Sequence, residues 1–182
     1  KTYSDISNMG GGIQSTEQAS RYPSKGELNK DGDGRLRAAL RSGTTHMEVK
    51  SGYGLDTKTE LNLLEVSSIL SSDENLPTLD PTWMGAHDTP KEVTHETYID
   101  SLINEQLPAI VDQGIARSAD VFCEPGWFSV EESEDILKAS RTAGLNLRMH
   151  IDEFEESGGG QLAAELKVQT ADHAYHTSLD TR

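Results

Sequence analysis

His150, Asp152 and Glu153 arrive in quick succession at the end of Leu145-Asn-Leu-Arg-Met-His-Ile, a run in which apolar residues alternate with polar ones. Strict alternation is the mark of a strand with one apolar face. Two carboxylates and an imidazole at its end can hold a metal ion and move protons, work a purely structural strand does not need. Other chemistry-bearing residues stand in similar settings. Lys50 and Tyr53 lie in a glycine-rich stretch, Lys50-Ser-Gly-Tyr-Gly54, after the β-branched run Thr44 to Val49. His87 follows Thr82-Trp-Met-Gly-Ala, Glu124 follows Ala119 to Cys123, and His173 follows Val168 to Asp172.

Between these strand ends the sequence supplies helices. Gly26 to Ser42 carries Leu28, Leu36, Ala39 and Leu40 on one face, although Gly32 and Gly34 should weaken it by roughly 1 kcal/mol each. Asp56 can cap a helix running to Ser72, with Leu61, Leu64, Val66, Ile69 and Leu70 as its buried stripe. Pro77 and Pro81 are read as bracketing a connection. A long helical pattern spans Thr94 to Gly114, with Pro108 expected to kink it. Glu131 to Ala143 and a segment from Gly158 through Leu166 complete the set, while the glycines Gly10 to Gly12 imply a turn or a close backbone approach.

Strand, polar loop and helix thus repeat about five times, and the reactive residues fall at strand C-terminal ends. This predicts one α/β domain over residues 1–182, part of a (β/α)8 barrel whose active face gathers the strand ends. A doubly wound sheet would need a phosphate-binding loop, which is not evident. Five strands cannot close an eight-stranded barrel, so the sequence is expected to be an internal part, about strands 2 to 6.

Composition narrows the partners. The chain has 31 acidic and 16 basic residues, a net charge of −15, which disfavours nucleic acid and anionic membranes. The hydrophobic fraction of 34% is low for a domain of 182 residues, implying a very polar surface or a missing portion. No stretch reaches the roughly 20 apolar residues of a membrane span. The single Cys123 cannot form an intrachain disulfide, so a cytoplasmic setting is expected.

Four blocks, Lys50-Ser-Gly-Tyr-Gly-Leu55, Met84-Gly-Ala-His87, Met149-His-Ile-Asp-Glu153 and Ala171-Asp-His173, together resemble imidazolonepropionase of the amidohydrolase superfamily. Gly10 to Thr16 is similar as well. The resemblance implies a metal-dependent hydrolase that opens the imidazolone ring of 4-imidazolone-5-propanoate to give N-formimino-L-glutamate in histidine degradation. It implies one divalent ion, zinc or iron, with His150 as a ligand. Tyr53, His87 and Glu153 would bind substrate, and Glu153 and His173 would act in catalysis. The His-x-His pair and the aspartate that complete the family's metal site, and its carboxylate-binding arginine, have no counterpart here, so this chain alone is expected to be inactive. A homodimer of the full-length enzyme is left open. The chemistry agrees on independent grounds: hydrolysis of a cyclic amide near neutral pH needs an activated water, and a carboxylate can pass a proton to the leaving nitrogen.

Several residues carry other readings. Asp152 either orients His150 or faces solvent. Cys123 is read as a buried structural thiol. Ile151, where the family commonly has Ala, is expected to crowd the metal pocket. His46, His95 and His176 are assigned no role. Asn29, Asp31, Asp33 and Gly34 match the opening of a calcium loop, but Leu40 stands where the bidentate Glu is required. Two alternatives follow: another amidohydrolase, such as a cytosine or guanine deaminase, or a calcium-stabilised acidic binding module.

Overall fold

A computed structural model describes Thr16, Glu17 and residues 20–182; the Gly10 to Gly12 turn and most of the similar stretch around it lie outside the described residues. Five strands, β1 (His46–Lys50), β2 (Thr78–Ala86), β3 (Ser118–Cys123), β4 (Asn146–Ile151) and β5 (Thr170–His173), form one parallel sheet in the order β1-β2-β3-β4-β5. Helices α1 (Lys25–Arg41), α2 (Thr57–Ser71), α3 (His95–Ser101), α4 (Leu107–Gln113), α5 (Val130–Thr142) and α6 (Gly159–Leu166) lie among them along the chain. Sequential order without a reversal is the topology of a barrel wall, since a doubly wound sheet must change direction. The α/β sheet curls into a half-barrel, as expected for part of a (β/α)8 barrel.

Alternation along each strand separates two chemistries. Met47 and Val49 of β1 pack with Leu36, Val66, Leu70, Leu76 and Leu79 under α1 and α2. Ala119, Val121 and Cys123 of β3, and Leu147, Met149 and Ile151 of β4, join a larger core with Leu64, Ile136, Leu137 and Leu162. The opposite face carries Glu48, Lys50, Asp80, Asp120, Arg148, His150 and Asp172, linked to one another by ion pairs. Barrel interiors are usually filled by branched apolar side chains. Here the inner face is mostly polar apart from residues such as Phe122, which accounts for the alternation in strands that would otherwise read as continuous apolar runs.

Local chemistry sets the helix starts. Ser24 and Ser129 form capping boxes with Glu27 and Glu132, and Asp56 accepts the Thr59 N–H at the head of α2. Gly32 and Gly34 lie inside α1. A Cβ on Gly32 would meet Leu70 Cδ1 at 2.6 Å, so this glycine permits close approach of α1 to α2. Because Asn29, Asp31 and Asp33 stand on that continuous helix, they do not form a calcium loop, and the calcium-module alternative is corrected on this ground.

Two proline expectations change. Pro81 lies inside β2 opposite Val49. Its carbonyl accepts the Arg117 N–H at 2.8 Å, so its backbone faces β3, which begins only at Ser118, and its missing N–H costs no ladder bond. Pro108 sits in the first turn of α4 after a π-helical turn at Leu102–Gln106, so the irregularity lies on its N-terminal side. β5 also starts two residues later than the sequence suggested, at Thr170. Among the described residues, no helix is long and apolar enough to cross a membrane.

Candidate active site at the strand ends

The residues singled out in the sequence lie in a row across the C-terminal ends of the strands. The Tyr53 and His87 rings meet edge to face at a centroid distance of 6.4 Å, His87 and His150 at 4.6 Å, and His150 and His173 at 5.3 Å. His173 Nε2 lies 3.3 Å from Glu153 Oε2. Five side chains from four separate strand ends are thereby contiguous. Phe122, Trp127 and Phe154 add an aromatic wall, with Phe122 packed on His87 at 5.8 Å and on Trp127 at 5.0 Å, and Trp127 on Phe154 at 5.6 Å. Flat π surfaces of this kind accept planar ligands by stacking.

Beneath the row is a residue that sequence reasoning missed. Asp120 is fully buried at mid-strand on β3, and its Oδ1 faces His87 Nε2 at 3.2 Å and His150 Nδ1 at 2.9 Å. Its Oδ2 pairs with the Lys50 ammonium. Lys50 in turn lies 2.9 Å from Glu48 and 3.5 Å from Asp172. Burial alone would raise the Asp120 pKa, but the hydrogen bonds and charge of His150 and His87 hold it well below the carboxylate range. Burial lowers the His87 pKa, although Asp120 pulls it the other way. Lys50, which burial would lower, is kept above its usual value by Asp120 and Glu48. The available signal was a lone aspartate between buried apolar neighbours in Ser118-Ala-Asp-Val-Phe-Cys123.

A deeper layer completes the inner face. Arg148 binds Asp80 at 2.6 Å and Glu48 at 3.0 Å, and the Thr82 hydroxyl donates to Glu48 at 2.7 Å. Four carboxylates, Glu48, Asp80, Asp120 and Asp172, thus face the two permanent cations Lys50 and Arg148.

This surplus of negative charge suits a divalent cation, as does the donor set: ligand atoms of His87, Asp120 and His150 all lie within 4.8 Å of one another. His150 is the best placed of the three. Asp120 fixes its Nδ1, while Nε2 faces Asp172 Oδ2 at 3.6 Å and has no closer hydrogen-bond or ion-pair partner among the described residues, which leaves it to coordinate. Asp120, already matched by Lys50, is better placed to orient the imidazole than to ligate.

Two neighbouring residues, Asp152 and Ile151, behave differently from expectation, whereas Cys123 agrees with it. Asp152 neither touches His150 nor faces solvent: it is 1% exposed, with φ +46°, and accepts from Ser157 N at 3.0 Å and Thr177 Oγ1 at 2.6 Å. Ile151 points away from the pocket into the outer core, where a Cβ on Gly159 would meet its Cγ2 at 3.0 Å. Cys123 is 1% exposed in that same core, as a structural thiol should be, and burial raises its pKa.

His95 has a structural part after all. Its Nδ1 lies 2.6 Å from Thr89 Oγ1 and its Nε2 3.2 Å from Glu132 Oε2, latching the β2–α3 loop to the head of α5. Burial would raise the Glu132 carboxyl, but the Ser129 N–H and His95 hold it below its ordinary value of 4.5. A depressed carboxyl stabilises the fold above that value and loses its contribution as the pH falls through it. Urea midpoints should therefore drop more between pH 6 and pH 3 for the parent protein than for Glu132→Gln; equal drops would contradict this assignment. A cavity of about 700 Å³ is lined by residues that include Arg21, Leu55, Tyr98 and Gln106, and none of the five side chains of the row lines it.

No family model matches the chain. Individual relatives do. The chain is 48% identical over 178 residues to an imidazolonepropionase of Alkaliphilus metalliredigens, 43% over 174 residues to one of Shewanella sediminis, and 42% over 180 residues to one of Clostridium tetani. These alignments cover 94 to 98% of the chain but 42 to 43% of each relative. The strand-end row, the polar inner face and this likeness agree: over nearly its whole length the chain is similar to imidazolonepropionase, and it spans less than half the length of those relatives.

Proposed function

We propose that this chain supplies part of the active site of a metal-dependent hydrolase that opens the imidazolone ring of 4-imidazolone-5-propanoate to N-formimino-L-glutamate. The observation that carries the reading is the contiguity of Tyr53, His87, His150, Glu153 and His173, together with identity of 42 to 48% to proteins named imidazolonepropionase. His150 would hold one divalent ion, zinc or iron, which when bound supplies an activated water and polarises a carbonyl. One ion is the reading at this site because at the end of β3 neither Cys123, which faces the outer core, nor Glu124, which is occupied by backbone N–H groups, is free to hold a second.

In this reaction water oxygen adds to the ring carbonyl carbon, the ring C–N bond breaks, and the leaving nitrogen takes a proton. Glu153, beside His173, is placed to carry that proton. With Nε2 turned to Asp120, the His87 imidazole leaves Nδ1 to accept a ring N–H, the Tyr53 hydroxyl can donate to the ring oxygen, and Phe122, Trp127 and Phe154 offer a stacking face for a flat heterocycle. The accompanying setting is cytoplasmic, with a small-molecule substrate and no nucleic acid.

The test is to assay the intact protein carrying this sequence for conversion of 4-imidazolone-5-propanoate, with metal content measured in parallel. Turnover should vanish with a chelator and return with added metal, while His150→Ala should purify without metal and Glu153→Gln should lose about 100-fold or more in kcat. Turnover indifferent to chelation, or unchanged in His150→Ala, would overturn the reading.

A further inference from the structure

Two buried glutamates outside the row of rings do the same job at two different strand ends. Glu60, in the first turn of α2, is 0% exposed. Its Oε1 accepts the backbone N–H of Gly54 at 2.8 Å and of Leu55 at 3.2 Å, and its Oε2 accepts the Ser51 hydroxyl. Ser51 Oγ also receives the Met84 N–H at 2.9 Å, tying the loop to β2. Glu124, at the end of β3, is 1% exposed. It accepts the N–H of Glu153 at 3.0 Å on Oε2, and those of Phe154 at 3.0 Å and Glu155 at 3.2 Å on Oε1.

Neither carboxylate has a cationic partner within ion-pair distance among the described residues, so the converging N–H groups are what offset its burial, and at Glu60 they do so only in part, since burial still raises its pKa. Both loops need restraint. Tyr53, Leu55 and Asp152 have φ of +64°, +54° and +46°, a region non-glycine residues rarely occupy unless held there. Gly54 is matched to its clamp, since a Cβ there would lie 2.9 Å from Glu60 Oε1.

We propose that Glu60 and Glu124 are positioning residues of the active site, Glu60 fixing the loop that carries Tyr53 and Glu124 the loop that carries Glu153. The assignment rests on the proposed roles of Tyr53 and Glu153 in hydrolysis. Each glutamate acts through backbone, presenting a neighbouring substrate-facing side chain in one conformation, and placement errors of about 1 Å at such groups cost about 100-fold.

Glu60→Gln and Glu124→Gln test it, because an amide keeps the shape but turns an NH2 group toward N–H donors. Amide hydrogen exchange should quicken about tenfold or more at Gly54 and Leu55 in the first variant and at residues 153–155 in the second, and nowhere else. With 4-imidazolone-5-propanoate, Glu60→Gln should chiefly raise KM and Glu124→Gln should lower kcat by about 100-fold with KM little changed. A merely structural role would lower the active fraction without that split. Should either variant fail to fold, Glu60→Asp and Glu124→Asp, one methylene shorter, replace it with the same readouts. Unchanged exchange, exchange rising across the whole sheet, or unchanged kinetics in a parent that turns over would each overturn the proposal. An intact protein carrying this sequence that proves inactive on this substrate would overturn the hydrolytic reading and the positioning roles with it, whereas local exchange with normal kinetics in that intact protein overturns only the positioning roles.

Discussion

Asp120→Ala should destabilise the protein by about 3–5 kcal/mol, the cost of removing one partner from a buried charge cluster. The reason is the number of groups it leaves behind: Lys50 loses its counter-ion, and His87 and His150 lose the oxygen that both face. Asp120→Asn should cost less, because the amide oxygen can still accept from both imidazoles, but its NH2 group would face the Lys50 ammonium where a carboxylate oxygen now pairs with it. Urea unfolding with an unchanged m-value is the check, and a loss under ~1 kcal/mol for Asp120→Ala would show that the cluster is not stabilised through this residue. The same variant should disturb His87 and His150 before the sheet unfolds, visible as shifted imidazole resonances at denaturant concentrations well below the midpoint.

The second large effect lies on the apolar side. Trp83 on β2 is 1% exposed in the main core, and Trp83→Ala should cost about 3–5 kcal/mol through the cavity it leaves. Trp83→Phe should cost roughly 1.5 kcal/mol or less. The indole Nε1 has no hydrogen-bond partner among the described residues, so the smaller ring gives up no polar contact. Gly85 explains part of this fit, since a Cβ there would lie 2.7 Å from Nε1. Gly85→Ala should therefore be costly alone, by about 1–3 kcal/mol, and less so combined with Trp83→Phe, a non-additivity measurable in a double-mutant cycle. Additive costs would show that Gly85 is needed for its backbone and not for the indole.

Much of this site was legible from sequence because a parallel barrel wall puts its reactive groups at strand C-terminal ends, and strand ends can be read from alternation and turn residues. Tyr53, His87, His150, Glu153 and His173 were all found in this way or through the four similar blocks. Strand and helix order, and the failure of the calcium pattern at Leu40, were legible for the same reason: they depend on neighbours in the chain. Boundaries that depend on pairing were not, as Pro81 shows. It breaks a strand read alone and costs nothing where the adjoining strand has yet to begin.

What only the tertiary structure decided are the roles of carboxylates. In sequence, Asp120 is one aspartate in an apolar strand, Asp152 neighbours a candidate ligand, and Glu60 and Glu124 are an ordinary helix residue and a loop residue. Their functions come from partners 5 to 70 positions away: Lys50 for Asp120, Ser157 and Thr177 for Asp152, the loop after β1 for Glu60, and the loop after β4 for Glu124. A buried carboxylate is defined by which donors compensate its desolvation, and donors from separate strands meet only once the sheet has curled. The sequence by itself therefore determined which side chains reach the mouth of the half-barrel, whereas the fold decided which of them meet in one row and which carboxylates are buried among backbone N–H groups, imidazoles and cations.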